Sequence, residues 1–259
     1  ARGLLVGIAA LAFLAWAAAL RTRASPGAAV FLLAVLAGLL AWSGLTRAFY
    51  VHEVWAGILI ALAIGAAAAG WGPLGVAAGL AALAVRELAL PYVAVALAMS
   101  VCQRRRGEAA AWAAGSVAFA AGLAAHAAAT ARFSSVADGA HVGTWLQFGG
   151  WPFVLKTAFT NAWLVAAPQP VTAVLLPLAL IGLAGWRGAL GLRVSATVFL
   201  YVAAFLVAGQ KFNYMWGYLY CGLAPMGLAF APAAVRDLWR AATARRATAP
   251  RGAAAPAES

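Results

Sequence analysis

Charge is scarce in this chain: only 9% of its 259 residues are charged, with 18 Lys and Arg against 6 Asp and Glu. A soluble globular domain carries about one quarter. Together with 66% hydrophobic residues and a mean hydropathy of +0.91, that scarcity excludes a water-soluble domain and indicates an integral membrane protein. Cysteine is nearly absent too. Cys102 and Cys221 lie in or at the ends of apolar segments, which argues against a disulfide framework or a thiolate metal cluster. His52-Glu53 is followed by Ala56 where an HExxH zinc motif needs its second histidine, and no Walker, CxxC or Ser-His-Asp pattern occurs.

What charge there is has one dominant sign, a net +12. The arginines fall between apolar runs and in the C-terminal tail, and no basic face is interleaved with aromatic residues. They read as topology-setting charges and not as a nucleic-acid surface.

The expected fold is all-α, a polytopic bundle of transmembrane helices over residues 1–240, followed by a disordered basic tail over 241–259. Candidate spans are 4–20, 27–45, 54–70, 109–129, 171–186, 193–208 and 215–233. Between the third and fourth lies GPLGVAAGLAALAVRELALPYVAVALAMSVCQRRR, residues 72–106, apolar except for Arg86-Glu87 until its closing polar residues. A single helix over its apolar part, Pro73 to Cys102, reaches about 45 Å, well beyond a hydrocarbon core of about 30 Å. Two half-helices, 74–85 and 88–102, each climb about 18–22 Å and place the charged pair at the tip of a short re-entrant-like hairpin. Pro91 then falls in the first turn of the second half, where its missing N–H is harmless.

Charge bias supports the hairpin independently. With it, Arg21 and Arg23, the Arg104–Arg106 triplet, Arg187, Arg193 and the tail arginines all fall on one side. A single span over 74–102 would flip every later basic loop. The N-terminus comes out external and the C-terminus cytoplasmic. The chain opens on Ala1, and its first apolar run is followed by its positive charges, the reverse of a secretory signal; it reads as a chain whose beginning is missing.

The external side then collects residues 46–53 (TRAFYVHE), the Arg86-Glu87 tip, the loop 130–170 and the turn QKFNY at 210–214. Trp145, Trp151 and Trp163 in the loop read as an interfacial belt, and 153–165 as an interface-lying helix. Taken alone, His52 and Glu53 read as a solvated end of a span. Arg86 and Glu87 read as functional, because ionisable groups within an apolar layer line cavities and sites. Adjacent helical residues point about 100° apart, so each is expected to find another partner; for Arg86, with its fork of donors, a phosphate suits. Lys211, Asn213 and Tyr214 could hold a phosphate and a sugar between a cation, an amide and an aromatic face. Asp138 and His141 read as solvated loop residues, and His126 as a satisfied polar residue of its span.

At this point the pattern resembles a family. YVHEVWAGILIALAIG followed by GPLGVAAGLAALAVRELALPYVAVALAMSV and a basic triplet is similar to the middle of the GT-C fold glycosyltransferases. These are polyprenyl-phosphate-sugar-dependent membrane enzymes that include protein O-mannosyltransferases and the lipid A aminoarabinose transferases of the bacterial inner membrane. Glu53 stands where the family has an acidic residue before a span, and Arg86 where it has Lys or Arg. The resemblance covers roughly residues 45–130, and more weakly GQKFNYMWGY. The family's catalytic carboxylate lies in the first external loop, upstream of this pattern. Here the loop 21–26 is short and basic and holds no Asp, so the chain reads as N-terminally truncated or as a relative without the chemistry.

The resemblance implies sugar transfer from a polyprenyl-phosphate donor to an acceptor at the external face of the membrane. A carboxylate would serve as general base, and cations would stabilise charge on the leaving lipid phosphate. His52, Arg86, Lys211, Asn213 and Tyr214 are then the substrate-binding candidates, and Glu53 and Glu87 the positioning ones. No cofactor motif is read, and a divalent metal is neither specified nor excluded. The rival classes are a secondary transporter, which should show a second hairpin in a pseudo-symmetric half, and a non-catalytic membrane scaffold, which needs no convergent polar groups.

Overall fold

A computed structural model describes residues 1–45, 47–131, 133 and 147–248, apart from the side chains of Lys211 and of residues 245–248. Asp138, His141 and Trp145 lie outside the described residues, as does the tail from 249 onward. The described residues are all helix and connection, with no strand. Five helices, Arg2–Leu20, Pro26–Gly44, His52–Ala69, Arg106–Thr130 and Gly188–Val207, are long and apolar enough to cross a membrane.

The first three helices are bounded by local signals. α1 (Arg2–Leu20) runs into a basic turn. α2 (Pro26–Leu40) begins where Ser25 Oγ accepts from the Ala28 amide at 3.4 Å, with Pro26 opening the first turn. A 3₁₀ turn, Ala48–Tyr50, leads into α3 (His52–Ala69), which stops at Gly70 with φ +88°, a left-handed cap suited to glycine. α3 is the central helix. Trp16 of α1 is fully buried against it and donates its indole N–H to the Ala61 carbonyl at 2.8 Å. Gly65 leaves room for that ring, since a Cβ there would meet Trp16 Cδ1 at 2.6 Å. Small residues permitting close approach are the ordinary means of packing apolar helices in lipid.

Gly70-Trp71-Gly72-Pro73-Leu74-Gly75 spells GxGxxG, but it joins two helices, α3 and α4 (Gly72–Val85). The dinucleotide fingerprint needs a strand before it. α4 ends at Arg86, whose backbone is extended (φ −151°, ψ 119°). A 3₁₀ turn, Glu87–Ala89, then leads into α5 (Leu90–Cys102), with Pro91 in its first turn. The chain doubles back there, because a Cβ on Gly79 would meet the Tyr92 ring at 2.9 Å. The far ends of both halves return to one end of α3: Gly75 sits against Ala63 and Ala67, while Met99 and Gln103 share a cavity with Ile64 and Ala68. α4 and α5 thus form a helical hairpin, broken at Arg86–Ala89. α6 (Arg106–Thr130) is held to it by Trp112, buried at Gly79 and edge-on to Tyr92 with ring centroids 6.0 Å apart.

Three expectations are corrected. The interfacial helix expected over 153–165 is two pieces, α7 (Gly150–Ala158) and α8 (Ala162–Val165). The break lies at Asn161, which is 1% exposed and whose side-chain carbonyl accepts from the Trp163 amide while its Nδ2 donates to the Cys221 carbonyl at 3.0 Å. Phe153, Val154 and Thr157 of α7 are buried in the protein.

The second correction concerns 215–233, which is not one α-helix: only its last residues, from Ala231, are α-helical. After α9 (Gln169–Gly185) and α10 (Gly188–Val207), the chain returns through two 3₁₀ runs, Lys211–Leu219 and Ala224–Ala229. Gly217, Gly222, Pro225 and Gly227 punctuate the stretch, and its glycines give and receive close backbone approaches. A Cβ on Gly57 would strike the Tyr218 carbonyl, and one on Gly182 the Gly227 carbonyl. Such backbone is tolerated at membrane depth only inside protein, and Leu219, Tyr220, Cys221, Leu223 and Ala224 are accordingly buried. The last helix, α11 (Ala231–Thr248), is largely exposed and continues past residue 240, where the tail was expected to begin.

Candidate functional site

Glu53 lies in the first turn of α3, where a carboxylate faces the positive end of the helix dipole. The turn before it is pinned by Trp55, whose indole N–H donates to the Phe49 carbonyl at 2.9 Å. Glu53 is only 8% exposed, so it requires a partner. That partner comes from the hairpin: Arg86 Nη2 lies 3.1 Å from Glu53 Oε1. Arg86 Nη1 lies 3.4 Å from Glu87 Oε1, and Arg86 Nε is buried with no hydrogen-bond partner. The expectation that Arg86 and Glu87 would not pair assumed helical backbone. Arg86 is extended, and the two side chains meet.

The hairpin tip is fixed from the side by Tyr201 of α10, whose hydroxyl donates to the Leu88 carbonyl at 2.9 Å. Two carboxylates on one guanidinium leave the trio with one surplus negative charge. Their burial differs: the Glu87 side chain is 54% exposed and that of Glu53 10%. Glu53 is therefore the fixed partner and Glu87 the one that can leave. His52 is exposed, and no polar contact ties it to the trio.

The 3₁₀ turn Glu87–Ala89 packs on the 3₁₀ run Lys211–Leu219, which brings the second group of expected residues to the same end. Asn213 is buried, with its Nδ2 unpartnered. Tyr214 is half-exposed, and Lys156 Nζ stands 5.5 Å from its ring centre, a cation–π contact. Tyr218, which sequence reasoning missed, packs edge-on to Trp42 with ring centroids 5.5 Å apart and lies within electrostatic reach of Glu53. Its signal was its place in an aromatic run beside the expected turn. Beside Lys156 and Tyr214 opens a mainly apolar groove of 600 Å³ between α7 and the start of α9, walled by Leu155, Phe159 and Ala173. Thr172 also borders it and carries a buried hydroxyl without a partner.

The arrangement offers a cation whose second carboxylate is half-exposed, a buried amide donor, and an apolar groove with a lysine beside it. Among the described residues no three His, Cys, Asp or Glu gather as a metal ion would require. Set against protein-family models, curated proteins and solved structures, the chain matches none.

Proposed function

We propose that the chain is a membrane glycosyltransferase, or a portion of one, that handles a polyprenyl-phosphate-linked sugar at the hairpin end of the bundle. The carrying observation is Arg86, set at the break of an apolar helical hairpin, held by buried Glu53 and shared with half-exposed Glu87. An ionisable cluster in such a place is costly and marks a substrate pathway. In this reading the lipid phosphate displaces Glu87 and takes Arg86 Nη1, while Nη2 stays on Glu53 and keeps the guanidinium aimed. The negative surplus of the trio makes the departure of Glu87 a requirement for binding an anion. Arg86 then stabilises the charge that grows on the phosphate as the sugar leaves. The groove beside Lys156 takes the start of the prenyl chain, and Asn213 Nδ2 and Tyr214 face the sugar. The basic loops at the opposite end orient that end to the cytoplasm, the hairpin tip to the external face and the C-terminus inward.

The test is transfer of radiolabelled sugar from a polyprenyl-phosphate donor in membranes that carry the protein. Arg86→Ala abolishes transfer with expression intact, and Arg86→Lys keeps part of it, because an ammonium preserves charge without the planar fork. Wild-type turnover in Arg86→Ala ends the proposal.

A further inference from the structure

The end of the bundle opposite the hairpin tip holds a second charged site. Arg193 of α10 is 6% exposed, an uncommon depth for a guanidinium. Its compensation is incomplete. Arg193 Nη2 is 4.0 Å from Glu108 Oε1, and that carboxylate is already engaged by Ser100 Oγ at 3.0 Å and Arg105 Nη1 at 3.2 Å. Arg193 Nη1 and the Tyr92 hydroxyl make no hydrogen bond of good geometry, although the two side chains lie beside each other and interact. A buried cation that shares one carboxylate with a second arginine is poorly satisfied.

Arg193 lines a polar cavity of 80 Å³ together with Arg23, Gln103 and Arg105. Arg23 is steadied there by donating to the Ala19 carbonyl at 3.1 Å. Arg23, Ala189 and Leu190 also border a neighbouring cavity of 430 Å³, which adds Arg187 and Ser25 to apolar walls from Leu32 and Phe230. Four arginines, Arg23, Arg105, Arg187 and Arg193, therefore border two adjoining spaces, with the Glu108 carboxylate beside Arg105 and Arg193. The small space is polar and the large one is lined mainly by carbon.

We propose that this end binds a phosphate-bearing anion, with the phosphate between Arg193, Arg105 and Arg23. Phosphate matches the arginine fork, and basic pockets between transmembrane helices suit anionic headgroups. If the anion is a lipid, its glycerol and first methylenes occupy the larger cavity. The site is independent of the hairpin tip, and neither proposal needs the other.

The experiment uses the full chain, purified in a non-ionic detergent, with thermal unfolding and native mass spectrometry as readouts. Dioctanoyl phosphatidylglycerol, dioctanoyl phosphatidylcholine and inorganic phosphate are titrated at constant ionic strength. A saturable stabilisation by phosphatidylglycerol, with one lipid retained per chain and none of the phosphatidylcholine, assigns the site to an anionic lipid headgroup. Saturable stabilisation by inorganic phosphate that phosphatidylglycerol does not displace assigns it to a free phosphate compound. Arg193→Gln weakens either ligand about ten- to a hundredfold, as expected for loss of a charged hydrogen bond. Arg23→Gln, an exposed position that leaves folding intact, also weakens it, whereas Arg240→Gln on α11 does not. Equal response to all three ligands, no response, or wild-type affinity in Arg23→Gln overturns the proposal, even if Arg193→Gln fails to fold.

Discussion

Arg86 and Glu53 form an ion pair of 3.1 Å between the break of one helical hairpin and the first turn of the helix it packs on. The pair ties the tip of α4 to the start of α3, so the hairpin cannot slide along α3 without breaking it.

A double-mutant cycle measures that tie. Glu53→Gln and Arg86→Gln each lower the thermal stability of the detergent-solubilised protein, and the coupling between them is about 1–3 kcal/mol. The Arg86 side chain is 27% exposed and keeps Glu87 as a second partner, which holds the value below that of a fully buried pair. Additive single effects would show that the two side chains do not interact.

Asn161 is expected to matter as much for stability. Its Nδ2 satisfies the Cys221 carbonyl in the irregular stretch and reaches the Val35 carbonyl of α2 at 3.4 Å. Asn161→Leu leaves that carbonyl buried and unpaired, at a cost of about 1–3 kcal/mol. Unfolding monitored by tryptophan fluorescence checks it, and an unchanged midpoint would remove Asn161 from the account.

The proposed orientation is tested by labelling. In a background without Cys102 and Cys221, a membrane-impermeant maleimide added outside intact cells modifies a cysteine at position 211 and misses one at 105. Labelling at 105 from outside would invert the hairpin argument.

How much of this was legible beforehand depends on what each signal reports. The hairpin was, because its apolar run is too long for one span and carries a charged pair at its middle. The Glu53–Arg86 pairing has no local periodicity behind it: charge bias put both residues on the external side, and nothing in either stretch joined them. The contact of Arg86 with Glu87 was missed because a helix was assumed through the point at which the backbone is extended. The stretch 215–233 was misread for a different reason. Hydropathy reports burial, and this stretch is buried; it says nothing about backbone shape, which Gly217, Gly222, Pro225 and Gly227 decide. Asn161 looked like a polar interruption of an amphipathic helix, and its role as a capping and bridging amide rests on partners distant in sequence.

A close backbone approach gives a further check on that stretch. Gly57→Ala puts a methyl group against the Tyr218 carbonyl, forcing α3 and the 3₁₀ run apart at about 1–3 kcal/mol. Gly122→Ala on α6, where a Cβ meets nothing within 4 Å, leaves the melting temperature unchanged or raises it. Equal behaviour of the two variants would contradict the packing of the 3₁₀ run on α3.

The central claim, that Arg86 exchanges Glu87 for a lipid phosphate, is tested most directly by equilibrium binding of a fluorescent polyprenyl phosphate to the purified protein. The account predicts opposite shifts: Glu87→Gln tightens binding by removing the competing carboxylate, while Arg86→Ala weakens it about ten- to a hundredfold. Wild-type affinity in Arg86→Ala, or weaker binding in Glu87→Gln, would contradict it.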